Sequence, residues 1–496
     1  MTQNKEIQKE KPKFTDQELN RRQKLFELQK MGKDPYSIES CKISCTILQF
    51  VERFKDKNYF DEEVFTLAGR IMAIRQTFGK IRGTNADLQF YFNRDEFPKE
   101  EYKEFKKYVD IGDIIEIIGS PFRTQKGELT LKVKSYRLVS KSLKPLPEKW
   151  HGLQDEELRA RQRYIDLIMN KESVDTFILR SKIIKLIRKF FDDRDYFEME
   201  TPVLNPRLGG ANARPFTTHH NTLKRDYFLR IATELPLKKL IVGGFDKVYE
   251  IGRLFRNEGM DSTHNPEFTS IEAYTAYFSM DDLLIIVEEV IKYIAIELGK
   301  EKIIWGGNEI DLTKKFKVIN MVDFINEVTG INFWKIDKLE DALDLAKKHG
   351  LQVKKHEKSI GHIINLFFEE FCEKECINPT FLCGHPIEVS QLSKKDYDKP
   401  GFTKRFELFI NKKEIANAFA ELNDPIDQES RFLAQINEKA LGNDEASDLD
   451  EDFLTALEYG MPPTGGFGMG IDRLVMMFAE KTSIRDVLLF PHMKEK

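Results

Sequence analysis

Within residues 255–268 the chain gathers an arginine and a glutamate two positions apart (Arg256, Glu258), a histidine (His264) and an aromatic ring (Phe268). Those residue types suit a nucleotide: a guanidinium attracts phosphate, a carboxylate accepts from an exocyclic amine, and a flat ring stacks on a base. An extended hairpin would set Arg256 and Glu258 on one face, because side chains alternate along a strand. A second segment, residues 466–473, reads G-x-G-x-G-x-x-R and ends in Arg473. Its spacing is not that of a dinucleotide-binding loop. Glycines two apart in a strand let another group approach the backbone closely. The helical pattern over 471–478 puts Arg473 in a first turn, where it could grip a terminal phosphate through two nitrogens. A strand packed close to a helix, with a merely exposed arginine, is the alternative for this segment taken alone.

These residues need a frame. From Asp155 onward, helical and strand patterns mix without a βαβ rhythm, with a helix over 174–191 and strands over 228–231, 247–251, 267–277 and 405–410. That predicts an α+β domain on a mainly antiparallel sheet. The acidic stretch 444–452 reads as a solvated helix start. Upstream, 64–75, 88–93, 114–119 and 129–139 read as short strands around a helix at 99–108. About five strands and one helix suit an OB-fold β-barrel, which binds single-stranded nucleic acid on its strand face; an unrelated β-domain fits the pattern equally. A helix over 16–31 is ended by Gly32 and Pro35. The resulting organisation is an N-terminal tail and helical segment (1–60), a barrel (61–145) and the larger α+β domain (146–496), joined through a stiff segment carrying Pro145 and Pro147.

With 496 residues the chain holds two or three domains and ample core. A net charge of −4 excludes a globally basic nucleic-acid binder. Residues 64–150 nevertheless carry 17 Lys+Arg against 11 Asp+Glu, an excess of +6, which marks this segment for a polyanionic partner unless it is simply a solvated surface. Five cysteines in so long a chain argue against a disulfide framework. Cys41/Cys45 and Cys372/Cys376 share C-x3-C spacing, but neither has a second Cys/His pair nearby, so zinc is not expected. The start has no apolar segment and no run reaches membrane-spanning length, so a cytoplasmic protein without a membrane partner is expected.

Taken together, these segments resemble the class II aminoacyl-tRNA synthetases and, within them, the lysyl-tRNA synthetases. Three signatures of that class occur in order: Phe197-Glu198-Met199-Glu200-Thr201-Pro202, the loop from Arg256-Asn257-Glu258 to Phe268, and the segment 466–473. Family-like strings stand between them, among them Trp150-His151-Gly152-Leu153, Ala213-Arg214-Pro215-Phe216 and the run 414–424. The resemblance runs from about residue 16 to the C-terminus.

It implies an enzyme that activates L-lysine with ATP to lysyl-adenylate and then transfers lysine to the 3′-OH of the terminal adenosine of tRNA(Lys). Arg256 becomes the α-phosphate clamp and Arg473 the γ-phosphate clamp, the two catalytic cations. Phe268 and Arg473 sandwich the adenine, Glu258 accepts from its amino group, and His264 holds the bent triphosphate. Glu407 and Glu414 hold Mg²⁺ against the phosphates. Glu421 faces the lysine ε-ammonium and Glu234 the α-amino group, with Gly210, Glu272, Tyr274, Asn417 and Phe419 around them. The acidic set separates a lysine enzyme from its aspartate and asparagine relatives, which need cations in that place. Pro202 marks a homodimer interface. Arg70, Phe78, Gln89 and Glu128, with Arg123, are the implied anticodon contacts. The chain also departs from the family pattern: 81–90 is several residues shorter than the family's usual strand, turn and strand, and Pro236 follows Ala232-Thr233-Glu234-Leu235 where a tyrosine is usual. No base for the transfer step stands out.

Overall fold

The structure, a computed structural model, describes residues 14–57, 60, 63–147, 155–443 and 449–495. Trp150-His151-Gly152-Leu153, the start of the N-terminal tail and the first part of the acidic stretch, 444–448, lie outside the described residues. The chain divides into two compact units, Met1–Asp175 and Thr176–Lys496.

In the first unit, β1 (Phe65–Arg75), β2 (Phe78–Arg82), β3 (Asp87–Tyr91), β4 (Ile114–Arg123) and β5 (Leu129–Ser140) close into a barrel in the order β1-β2-β3-β5-β4. Alternate residues point inward, so Leu67, Ile71, Ile81, Phe90, Ile115, Ile117 and Leu131 are fully buried. Helix Lys99–Tyr108, at the expected position, adds Phe105 to that core. The short stretch 81–90 still makes strand, turn and strand: β2 pairs with β3, and the turn closes by Gly83 N–H donating to Ala86 O at 2.9 Å. Strand β2 had no alternating pattern of its own. Its Gly79 is required because a Cβ there would lie 2.1 Å from the Phe90 ring.

In the second unit an eight-stranded sheet is built from β6 (Phe197–Glu198), β7 (Lys247–Phe255), β8 (Glu267–Ala276), β9 (Lys317–Asn320), β10 (Thr380–Cys383), β11 (Arg405–Ile410), β12 (Lys413–Ala420) and β13 (Thr464–Gly470). Their order is β9-β10-β11-β12-β13-β8-β7-β6. Only the two outermost pairs, β9 with β10 and β6 with β7, are parallel. Helices Lys171–Asp192 and Met280–Leu298 contribute to the core on one face of the sheet. The first buries Ile183, Ile187, Phe190 and Phe191 at helical spacing against Phe467, Ile271, Ala416 and their neighbours. The second starts at a capping box between Ser279 and Asp282 and stops at Gly299, whose φ of 63° is left-handed. That packing leaves the other face of the sheet free to carry polar residues.

Two expectations shift. The strand read at 228–231 is Arg225–Leu229, and it belongs to a separate three-stranded sheet with Leu204–Asn205 and Thr217–His220. The helix read from the acidic stretch starts at Glu451, where Asp450 caps it by accepting from Phe453 N–H.

Candidate active site

Antiparallel register lines up the polar face. Glu407 is opposite Asn417, Asn417 opposite Gly468, and Gly468 opposite Glu272. The next row runs Arg405, Phe419, Gly466 and Tyr274. Residues directly opposite share a face, so these rows form a floor. Above it lies a cavity of about 500 Å³ reached by Gly210, Glu234, Arg256, Glu258, His264, Phe268, Glu414, Glu421 and Arg473 as well. Every ATP-, lysine- and metal-site residue anticipated from the sequence therefore borders one cavity.

Glycine in β13 makes the floor flat. A Cβ on Gly466 would meet Glu421 Oε1 at 2.1 Å and Tyr274 at 2.5 Å, whereas one on Gly468 would meet nothing closer than 3.6 Å. Only Gly466 answers the close-approach expectation in full. Gly210 has φ +89°, a conformation that a side chain would strain.

Glu407 and Glu414 are brought to one face by a bulge. Leu408 is opposite Ala416, but Phe409 is opposite Glu414, so Ile415 is an extra residue in β12. Without it, Glu414 would have the parity of the core residues Ala416 and Ala418; with it, Ile415 is buried in the core and Glu414 turns to the cavity.

At the cationic end, β7 stops at Phe255, so Arg256 and Glu258 lie in the connecting loop and not on a strand. The alternation invoked for them does not operate; the loop, anchored by Arg256 N–H to Pro266 O at 2.8 Å, brings both to the cavity. The Arg256 guanidinium is 5.2 Å from the Phe268 ring centroid, and its Nε has no hydrogen-bond partner among the described residues. Arg473 Nη1 donates to Glu414 O at 2.7 Å, and Nη2 lies 3.4 Å from His264 Nε2. His264 is held by Asp261, with Nδ1 to Oδ2 at 2.8 Å. Arg180 and Asp472, unremarked in the sequence, lock this end together: Arg180 donates to Asp472 Oδ1 at 2.5 Å and to Thr269 Oγ1 at 3.0 Å, and Asp472 accepts Thr269 N–H at 2.7 Å. They tie the helix bearing Arg473 to the strand bearing Phe268.

Glu407 is engaged by Arg405 at 2.5 Å and by His385 at 3.4 Å. Burial pushes its carboxyl up, but the Arg405 guanidinium, helped by the His385 ring, outweighs burial and holds it down at about 2, while burial pushes the His385 imidazole itself down. Arg405 also donates to Asn417 Oδ1 at 3.0 Å, which orients that amide.

The acidic end is enclosed. Glu234, Glu272 and Glu421 are all buried. Glu272 accepts Thr233 N–H and the Tyr274 hydroxyl, each at 3.1 Å. Burial, and then the Glu234 carboxylate, push Glu272 up to about 7. Lys238, which the sequence reading passed over, places its ammonium against both Glu234 and Glu421. Its position four residues after Glu234 on helix Glu234–Val242 was the available signal.

In the barrel, Arg70 donates to Gly112 O at 2.7 Å and Gln89 to Thr130 Oγ1 at 2.9 Å, while Glu128 is exposed. Arg123 is spent on the carbonyls of Phe54, Lys55, Lys57 and Gly127. Phe78 stacks on Tyr91 at 4.6 Å, and Tyr91 lies 5.9 Å from Phe122. Tyr91 and Phe122 extend an aromatic surface of which the sequence reading named only Phe78. The cysteines are free, and among the described residues no group of three or more His, Cys, Asp and Glu side chains could hold a metal. No helix among them is long and apolar enough to cross a membrane.

The barrel, and the mainly antiparallel sheet whose cavity is bordered by Arg256 and Arg473, define the protein class. Residues 155–494 match the family described as tRNA synthetases class II (D, K and N), and residues 65–139 match the OB-fold nucleic acid binding domain. Over 98% of this chain and 99% of the relative, it is 63% identical to the lysine--tRNA ligase of Malacoplasma penetrans. With the same coverage it is 54% identical to that of Ureaplasma parvum serovar 3 and 51% identical to that of Mycoplasmoides gallisepticum. The chain belongs to the class II lysine--tRNA ligase family.

Proposed function

We propose that the protein is an ATP-dependent lysine--tRNA ligase, which joins L-lysine to AMP and then to the terminal adenosine of tRNA(Lys). The observation that carries this is the pairing, around one cavity, of two arginines at one end with three buried carboxylates at the other. Adenylate formation drives a carboxylate against the α-phosphate, so two anions must meet and fixed cations dominate the barrier. Arg256 neutralises the α-phosphate and Arg473 the γ-phosphate. Phe268 stacks on the adenine, Glu258 accepts from its amino group, and His264, steadied by Asp261, supports the triphosphate. Lysine lies in the acidic end, its ε-ammonium at Glu421 and its α-ammonium at Glu234. Glu272, Tyr274, Asn417 and Phe419 surround it, and the Gly210 backbone edges the pocket.

Magnesium takes few carboxylates and completes its shell with phosphate and water, which suits two glutamates on one face. Glu407 and Glu414 would hold it, and it would supply charge neutralisation for the phosphates. The Arg405 guanidinium keeps Glu407 ionised for that purpose. In the barrel, Arg70, Phe78, Gln89 and Glu128 are the anticodon contacts, supported by the stacking surface of Phe78 with Tyr91. A homodimer forms around Pro202, where Phe197, Val203 and Leu204 are exposed. The protein acts in the cytoplasm.

The test is amino-acid-dependent ATP–pyrophosphate exchange across the twenty amino acids. Lysine alone should drive it, and the product should charge tRNA(Lys); strong exchange with aspartate or asparagine would refute the reading. A pH dependence follows from Glu272. Its carboxyl keeps a proton below about 7, and a bound ammonium favours the ionised form. Lysine must then expel that proton at lower pH, so the lysine KM should rise as pH falls below about 7, by at most about tenfold per unit. Glu272→Gln should flatten this slope; an unchanged slope would remove Glu272 as its source.

A further inference from the structure

One charged group at the acidic end has no part in that scheme. Lys238 is wholly buried, and its Nζ donates to Glu234 Oε1 at 2.5 Å and contacts Glu421 Oε2. The rings of Phe419 and Phe453 lie 5.3 and 5.9 Å from it. Lys238 does not itself line the cavity, although both glutamates do. It therefore grips one oxygen of each carboxylate from behind. Glu421 Oε1 is left without a hydrogen-bond partner among the described residues, beside the Gly466 floor.

The charges around this end can be counted. Glu234 on its helix, Glu272 on β8 and Glu421 after β12 supply three carboxylates, and Lys238 cancels one. Two remain, matching the two ammonium groups of free lysine. The other charged or titratable groups facing them are otherwise engaged or peripheral. Arg405 on β11 is paired with Glu407 at 2.5 Å, the Tyr274 hydroxyl donates to Glu272 at 3.1 Å, and Lys394, on the segment before β11, is half-buried and acts on Glu421.

Resting on lysine activation at this site, we propose that Lys238 is a positioning residue for lysine recognition: it holds Glu234 and Glu421 ionised and aimed, with one oxygen of each left to the cavity. The pocket then favours an amino acid with two ammonium groups over one whose side chain is neutral. Burial pushes both glutamates up, Glu421 most, and the Lys238 ammonium, itself held charged by the two carboxylates, offsets part of that rise. Two carboxylates enclosed together without a cation cannot both stay ionised at neutral pH, so removing Lys238 makes the pair retain a proton that lysine must displace.

The experiment uses the full-length protein, with Lys238→Met and Lys238→Arg, in lysine-dependent ATP–pyrophosphate exchange across neutral and alkaline pH. Lys238→Met should raise the lysine KM by about 30-fold or more near neutral pH. The ATP KM should stay within about threefold, the defect should shrink as pH rises and the pair re-ionises, and Lys238→Arg should recover part of the loss. An unchanged lysine KM, or lysine and ATP KM rising by one factor at every pH with Arg no better than Met, would overturn the proposal. Should Lys238→Met not fold, the wild type decides. Calorimetry of lysine binding in buffers of different ionisation heat should register release of at most about one proton, from Glu272. Release of two would mean that Glu234 or Glu421 was not held ionised, which also overturns it. If the wild type shows no lysine-dependent exchange, lysine activation itself fails; if it does and Lys238→Met matches it, only the role of Lys238 fails.

Discussion

Replacing Arg256 with alanine is expected to lower lysine-dependent ATP–pyrophosphate exchange by about 10²- to 10³-fold, mostly in kcat. The reaction brings a carboxylate onto a phosphate, and charge on the phosphate oxygens grows as the bond forms. A fixed guanidinium beside that phosphate stabilises the transition state more than the ground state, which is why its loss appears in turnover. The residue has little structural duty to confuse the result. Its Nε lacks a hydrogen-bond partner among the described residues, and its guanidinium contacts the Phe268 ring at 5.2 Å. Thermal unfolding should therefore stay close to wild type. A folded Arg256→Ala protein with near-normal exchange would remove Arg256 from the mechanism.

The second large effect is expected from Glu421→Gln, a change of charge with almost no change of shape. Glu421 is fully buried, one oxygen against Lys238 and the other toward the cavity. Removing one partner from a buried charge pair costs about 3–5 kcal/mol, which as a loss of lysine binding is roughly 10²- to 4 × 10³-fold in KM. The ATP KM should change little, because the cationic end lies with Arg256 and Arg473. Arg256→Ala and Glu421→Gln should thus separate cleanly, one in kcat and one in lysine KM. An unchanged lysine KM in Glu421→Gln would mean that acidic residues do not choose the amino acid here.

Much of the frame was legible because it rests on periodicity. Helices 99–108 and 471–478 fall where their patterns put them. Strands 247–255, 267–276 and 405–410 include or nearly match the stretches read as extended. Less legible were elements without a pattern of their own. Strand Phe78–Arg82 is five residues of which three, Gly79, Lys80 and Arg82, are glycine or charged, and it is a strand because neighbours on both sides complete its hydrogen bonds. Arg123 looked available to nucleic acid because a side chain's backbone partners, here carbonyls far along the chain, leave no mark in local sequence.

By itself the sequence determined which chemical groups the protein owns and in what order: the arginines for phosphate, the glutamates for cations, the glycines that keep a strand bare. Residue type alone sets charge and donor capacity, so those conclusions needed no coordinates. Tertiary structure decided which groups meet. A bulge at Ile415 changed the parity of β12 and turned Glu414 to the cavity. A loop, not strand alternation, delivered Arg256 and Glu258. Lys238 became the cation behind Glu234 and Glu421, although Glu421 is far away along the chain, because helix Glu234–Val242 packs on β8 and places it there. Register, bulges and packing act between segments distant in the chain, and no local spacing records them.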